Sequence, residues 1–239
     1  MADVVQDHAA AGVQPPPAAG PRDQEVTATF CFVDIAGYTA LTDSHGERAA
    51  ADLVDEFAGL IRSAVHMQGT VQELSGDNAF VVFPDPVTAM RSINMLCGSV
   101  AGLRHFPLLR IGLHHGHALL RSGRYFGSTI NIAARTAAQA RGGEILCTAA
   151  VAEFLGSPGQ AGMSVTPVGK IKLKNLPRKI DLYRIALAAA SLQRAIDPVC
   201  QMQVDAHSAV SSCQFDGRWY WFCSTACQRR FASAPSEFI

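Results

Sequence analysis

Two aspartates, Asp34 and Asp77, stand where carboxylates can grip divalent cations. Asp34 follows an apolar run in Phe32-Val33-Asp34-Ile35-Ala36-Gly37-Tyr38-Thr39, and Asp77 lies in the polar stretch Ser75-Gly76-Asp77-Asn78. An acid at the exit of a buried strand stands where a helix N-terminus often follows, and Gly37 lets backbone amides come close to an anion. Two hard carboxylates with open coordination suit Mg2+ or Mn2+ bound together with substrate phosphates. Taken alone, the same residues would serve as a helix cap and a β-turn former. A second group is built on sulfur. Cys200, Cys223 and Cys227 lie in the last forty residues, with Cys223 and Cys227 one helical turn apart and Cys200 on an earlier knuckle. A segment that short builds little core, so a metal clip is an expected aid to folding. Three thiolates favour Zn2+, Cu+ or another soft or borderline ion. The fourth ligand is open between Cys213 and a water, and a metal-free module whose cysteines are merely buried is the alternative.

The elements that must position these residues follow from hydrophobic period. Residues 26–33 read as a buried strand, and 47–67 as a helix whose apolar residues recur at three and four. Strands at 70–74 and 79–83 flank the turn that carries Asp77, a hairpin signature. A second amphipathic helix covers 87–103, followed by a strand at 108–120, a helix at 128–140 and a strand at 144–147. A short helix at 149–155 precedes strands at 164–173 and 180–185. The order strand, helix, strand, strand, helix, strand is that of a ferredoxin-like α+β sandwich with further elements after it. In such a sheet the first strand lies beside the hairpin, which brings Asp34 and Asp77 together. Residues 1–24, rich in Ala, Pro and Gly, are expected to be a disordered tail. The body is expected over 25–186, an alanine-rich linker over 187–195 and a small cysteine-rich module over 196–239.

These segments resemble the catalytic domain of class III adenylate and guanylate cyclases. The resemblance rests on the stretch from Phe32 to Thr39, on Gly76-Asp77, on Gly127-Ser128-Thr129-Ile130-Asn131-Ile132-Ala133-Ala134-Arg135, and on the final Gly169-Lys170-Ile171-Lys172-Leu173-Lys174. It implies that Asp34 and Asp77, with the Ile35 carbonyl, hold two Mg2+ or Mn2+ ions against a nucleoside triphosphate. It implies that Gly37 and Thr39 help to bind the substrate, and that Asn131 and Arg135 form the transition-state pair. Their spacing of four places both on one helix face. An Asn can orient the ribose, and an Arg fork can neutralise the α-phosphate as charge builds. Lys174 would reach the terminal phosphates or stand solvated. In this family the aspartates and the Asn/Arg pair come from opposite subunits, so a head-to-tail homodimer is expected. The family keeps the strand bearing His114, His115 and His117 free of ligands, so a structural role is expected for them.

Two positions depart from the adenylate cyclase pattern. Where those enzymes read adenine with a Lys and an Asp, this chain has Glu73 and Arg124. Guanine offers N1–H and N2–H donors to a carboxylate and O6 and N7 acceptors to an arginine, so the chemistry leans toward GTP. Many bacterial members with altered residues here are adenylate cyclases by assignment, which keeps ATP open. A pairing of Arg124 with Glu73 is a further option. The alternative to an enzyme is a catalytically inactive nucleotide or metal sensor on the same fold.

The last segment, about 196–239, resembles a YHS domain, related to treble-clef-like metal-binding modules, with the spacing C-x22-C-x3-C. Composition narrows the remaining classes. Across 239 residues, 20 Lys plus Arg balance 20 Asp plus Glu, which argues against a dedicated nucleic-acid binder. No apolar run has the length of a membrane span, and no secretory signal opens the chain. A cytoplasmic protein without a membrane partner is expected. In that compartment Cys31, Cys97 and Cys147, scattered through apolar segments, are expected to be core thiols.

Overall fold

The structure, a computed structural model, describes residues 23–156, 162–187 and 194–239. Strand β1 (Gln24–Ile35) sorts its side chains by alternation. Ala28 and Phe30 face one side, while Cys31, Val33 and Ile35 face the other, and both sides are covered. Two helices follow, α1 (Tyr38–His45) and α2 (Glu47–Val65), then strands β2 (Thr70–Ser75) and β3 (Asn78–Phe83) and helix α3 (Pro86–Gly102). Ser75 opposes Asn78, leaving a two-residue turn with Gly76 at φ 56°, the positive angle a primed hairpin turn demands of its first residue. Strand β4 (Leu109–Arg121) returns along β1 and turns into β5 (Arg124–Phe126), ahead of helix α4 (Ser128–Gln139). Then come β6 (Ile145–Thr148), α5 (Ala149–Leu155), β7 (Met163–Ile171) and β8 (Ile180–Leu187).

The sheet runs β2-β3-β1-β4-β6-β8-β7, with β5 beside β4, and β4–β6 is its parallel pair. The α+β fold expected from the sequence is therefore present, with α1 and β5 as elements the hydrophobic pattern did not separate. Helices α2, α3 and α5 cover one face through Leu53, Phe57, Ile61, Met90, Ile93, Val151 and Leu155. Fully burying each such side chain stabilises by about 1.5–3 kcal/mol. Helix α4 covers the other face. It seats on Gly112 and Gly116 of β4, where any Cβ at Gly112 would collide with the backbone of Ala137.

Of the segment expected to be disordered, residues 1–22 lie outside the described residues. Its end is ordered, since Gln24 opens β1 and Asp23 pairs with Arg121 at 2.5 Å. Residues 188–193 of the expected linker are likewise outside the described residues. The final module consists of β9 (Ala195–Ile196), β10 (Gln203–Val204), β11 (Ser211–Phe215), β12 (Arg218–Phe222) and α6 (Thr225–Ser233). It docks on the body. Val199, Cys200, Met202, Phe222, Cys227 and Phe231 belong to the same apolar cluster as Leu41, Phe57 and Phe106.

The histidines of β4 each meet a threonine hydroxyl on a neighbouring strand or strand end. His117 Nδ1 meets Thr27 Oγ1 at 2.8 Å, His115 Nδ1 meets Thr29 Oγ1 at 2.9 Å, and His114 Nδ1 meets Thr148 Oγ1 at 2.7 Å. Burial, with a smaller push from His115, lowers the His114 pKa from 6.5 to about 4. Its folded value lies below its unfolded one, so the native state binds fewer protons between those values. The stability this contributes is complete above pH 6.5 and lost as pH falls toward about 4, by on the order of 2–3 kcal/mol. His114→Gln is expected to flatten that acid limb, read as urea midpoints at pH 5 and pH 7. An unchanged difference between the two midpoints would remove His114 as its source.

Candidate active site and a thiol cluster

The register of the sheet brings the two aspartates together. Asp34 is the cross-strand partner of Asn78, and Ile35 N donates to the Asp77 carbonyl at 3.0 Å. Asp34 keeps 16% of its side chain exposed and Asp77 is half-buried, so the pair has an open side. Burial raises the Asp34 pKa, the guanidinium of Arg110 opposes that rise, and the Asp77 carboxylate beside it adds to the rise. The two carboxylates form an all-oxygen donor set, the kind hard divalent cations take.

Arg110 was missed in the sequence. It opposes Asp34 across β1–β4 and its guanidinium donates to the Asp34 carboxylate, while its Nε is buried without a partner. The available signal was an arginine inside the otherwise apolar run Leu108-Leu109-Arg110-Ile111. Ahead of α1, Gly37 takes φ 71° as N-cap with no side-chain hydrogen bond capping the helix, and Thr39 is exposed in the first turn.

Asn131 and Arg135 lie exposed on α4, whose Ala133 faces the sheet. Neither makes a side-chain hydrogen bond or ion pair among the described residues. Glu73 is exposed opposite Phe80, whose ring stacks on Phe32 with centroids 4.7 Å apart. Arg124 opposes Arg121 at the tip of the β4–β5 hairpin, and no bond joins it to Glu73, so that optional pairing is not formed. Lys174 is exposed one residue past the buried Leu173.

The sulfur residues converge as well. Cys200 Sγ lies 3.4 Å from Cys223 Sγ, which lies 3.7 Å from Cys227 Sγ. The fourth group is neither Cys213, which sits on β11 opposite Tyr220, nor one the tail supplies. It is His45, at the last position of α1, with Nε2 3.2 Å from Cys223 Sγ and 3.9 Å from Cys227 Sγ. No spacing rule links His45 to cysteines more than 150 positions away, so sequence had no means of finding it. Hydrogen bonds from Cys200 and then Cys223 draw the Cys227 pKa down. Burial pushes Cys97 up to about 11 and Cys147 up to about 12.

A mixed sheet with α4 on one face and paired carboxylates at the end of β1 and in the neighbouring β2–β3 turn is the arrangement expected of a nucleotide-cyclase domain. The comparison with known families agrees. Residues 21–186 match the adenylate and guanylate cyclase catalytic domain, and residues 195–239 match the YHS domain. The chain belongs to the adenylate and guanylate cyclase family and carries a C-terminal YHS domain.

It is 30% identical over 162 residues to the pH-sensitive adenylate cyclase MT1302 of Mycobacterium tuberculosis, covering 67% of this chain and 41% of that relative. It is 30% identical to an adenylate cyclase of Streptomyces coelicolor over 52% of this chain and 33% of the other. The chain thus spans less than half the length of these curated relatives. An adenylate cyclase of Trypanosoma brucei, solved in its monomeric state, superposes with a TM-score of 0.60 at 23% identity, over 72% of this chain and 91% of that one. CyaB of Pseudomonas aeruginosa gives 0.58 at 22% identity, over 69% and 96%. Among the described residues no helix is long and apolar enough to cross a membrane.

Proposed function

We propose that this chain converts a purine nucleoside triphosphate into its 3′,5′-cyclic monophosphate and pyrophosphate, in cytoplasmic sites completed by a second copy arranged head to tail. The observation that carries this reading is the convergence of Asp34 and Asp77 on an open strand end. Asp34, Asp77 and the Ile35 carbonyl fit two Mg2+ or Mn2+ ions by the hardness of their oxygens. When bound, such ions would lower the pKa of the ribose 3′-hydroxyl and stabilise charge on the phosphates.

The chain's own groups do the positioning. Gly37 and the first amides of α1, with the Thr39 hydroxyl, receive phosphate oxygens, and Lys174 reaches the terminal phosphates. From the neighbouring copy, Asn131 orients the ribose and Arg135 neutralises the α-phosphate as charge builds. Their exposure on α4, without side-chain partners among the described residues, supports that division of labour. The 3′-oxygen bonds to the α-phosphorus, the bond from that phosphorus to the leaving pyrophosphate breaks, and the 3′ proton passes to solvent.

Glu73 and Arg124 are the base-reading positions in this scheme. A carboxylate accepts from guanine N1–H and N2–H, so GTP is the favoured substrate. Turnover of GTP and of ATP by the purified chain with Mn2+, each product identified by mass, tests this. Glu73→Lys is expected to lower the GTP-to-ATP ratio of kcat/KM at least about ten-fold, the effect of one polar group left unmatched once a bound base covers it. The relatives' names favour adenine, and cyclic AMP formation that Glu73→Lys leaves unchanged would place Glu73 outside the base pocket. No product from either triphosphate would move the reading to a non-catalytic nucleotide or metal sensor.

A further inference from the structure

We propose that His45, Cys200, Cys223 and Cys227 bind one Zn2+-class ion shared between the catalytic body and the YHS module, and that this ion fixes the loop behind Asp34. The control of turnover rests on the cyclase reading above, whereas the ion site does not.

The four ligand atoms have the dimensions of a coordination shell. Bonds of about 2.3 Å to sulfur and about 2.0 Å to nitrogen place tetrahedral corners roughly 3.5–3.8 Å apart. The corners here stand 3.2, 3.4, 3.7 and 3.9 Å apart along four edges, and all four atoms lie within 4.8 Å of one another. Three sulfurs and one imidazole form the Cys3His set of closed zinc sites. Cys200 and Cys227 are buried, while His45 and Cys223 are half-buried, which leaves an ion a way in.

The support around the ligands is already in place. The buried Asp197 accepts from Val199 N and from Cys223 N, each at 2.9 Å, tying the two cysteine knuckles together. Ser224 Oγ caps α6 by accepting from Cys227 N at 3.1 Å. Outer contacts of this kind set ligand direction and tune metal affinity.

The site also grips the catalytic loop from both sides. His45 closes α1, the helix that begins immediately after Gly37. The backbone of Cys200 lies against Gly37, where an added Cβ would come within 2.9 Å of its carbonyl. The next residue continues the connection. Leu108 N donates to the Gln201 carbonyl at 3.0 Å, and Ala36 N donates to the Leu108 carbonyl at 2.9 Å. Asp34 is two residues before Ala36. One ion therefore holds α1 by its far end and braces the segment before its near end, so its loss loosens the loop that presents carboxylate and phosphate-binding amides.

The test uses the full chain, kept reduced, stripped with a chelator and titrated with Zn2+ and with Co2+. One equivalent of Zn2+ is expected to bind. Co2+ is expected to show tetrahedral d–d bands with thiolate-to-cobalt charge transfer. His45→Ala is expected to weaken Zn2+ at least about ten-fold in chelator competition and to change the d–d bands. In the wild type, Zn2+ is expected to slow amide exchange across residues 36–45, and in His45→Ala it is not. Cys213→Ser, outside the cluster, leaves binding as it was, and circular dichroism checks that each variant folds.

Zinc loading is expected to raise kcat/KM at least about five-fold in the wild type, the low end of allosteric coupling. Unchanged affinity and spectrum in His45→Ala, or no stoichiometric Zn2+ in the wild type, would overturn the shared site. Binding that leaves exchange at 36–45 unaltered would overturn the bracing of the loop. Absence of cyclic nucleotide with and without Zn2+ would sink the control of turnover together with the cyclase reading, while the binding and exchange arms still decide the shared ion.

Discussion

Alanine at Asp34 is expected to lower cyclic nucleotide formation at least about a thousand-fold while the chain stays folded. The rate loss follows from removing half of the proposed two-carboxylate cation site, worth several kcal/mol of charge stabilisation at about 1.36 kcal/mol per factor of ten. Retained folding follows from the local electrostatics. The Asp34 pKa is raised, chiefly by burial, against the pull of Arg110. An acid with a folded value above its unfolded one costs stability at neutral pH, and the cost is relieved as pH falls through the raised value. Removing it is therefore neutral or slightly stabilising, and Arg110, one-third exposed, can turn its charge to water. Product formation and urea midpoints, measured on the same preparation, check both halves. A variant keeping more than a tenth of wild-type turnover would remove Asp34 from the chemistry.

Two inactive variants mixed together are expected to recover about a quarter of wild-type activity. Asp77→Ala removes a proposed cation ligand, and Arg135→Ala removes the guanidinium on α4. In a two-fold symmetric dimer, random mixing makes about half of the dimers hybrid, each with one doubly altered site and one unaltered site. Recovery after mixing and re-equilibration, against near-zero activity of either variant alone, is the readout. It tests the sharing of sites more sharply than an oligomer mass would, because a dimer with self-contained sites recovers nothing. The placement of Asn131 and Arg135, exposed on α4 and without side-chain partners among the described residues, is what makes the recovery expected.

How much of this was legible in the sequence follows from the range of the signals involved. Alternation in β1, the three-and-four recurrence in α2 and the glycine in the β2–β3 turn are local, and they fixed the order of elements that brings Asp34 to Asp77. Helix α1 was not separated because its eight residues, with Leu41 as its one buried side chain, show too little period to register. Arg110 was hidden by register, since only the β1–β4 pairing reveals that it faces Asp34. His45 was beyond reach for a different reason. Cysteine spacing in the last segment led to the expectation of a metal clip, but the fourth group of the cluster comes from a helix of the body.

That shared core has a practical corollary for anyone trimming the molecule. A chain cut before the YHS module would strip the Gln201 carbonyl from Leu108 N and leave the carbonyls of Phe106 and Val100 without the Gln203 donors, a loss of about 1 kcal/mol each. It would also bare apolar surface around Leu41 and Phe106, inviting self-association in solution. Poor yield or clumping of such a fragment would report the wound at the cut, and a single-residue change at His45, with Cys213→Ser as its control, is the cleaner scalpel.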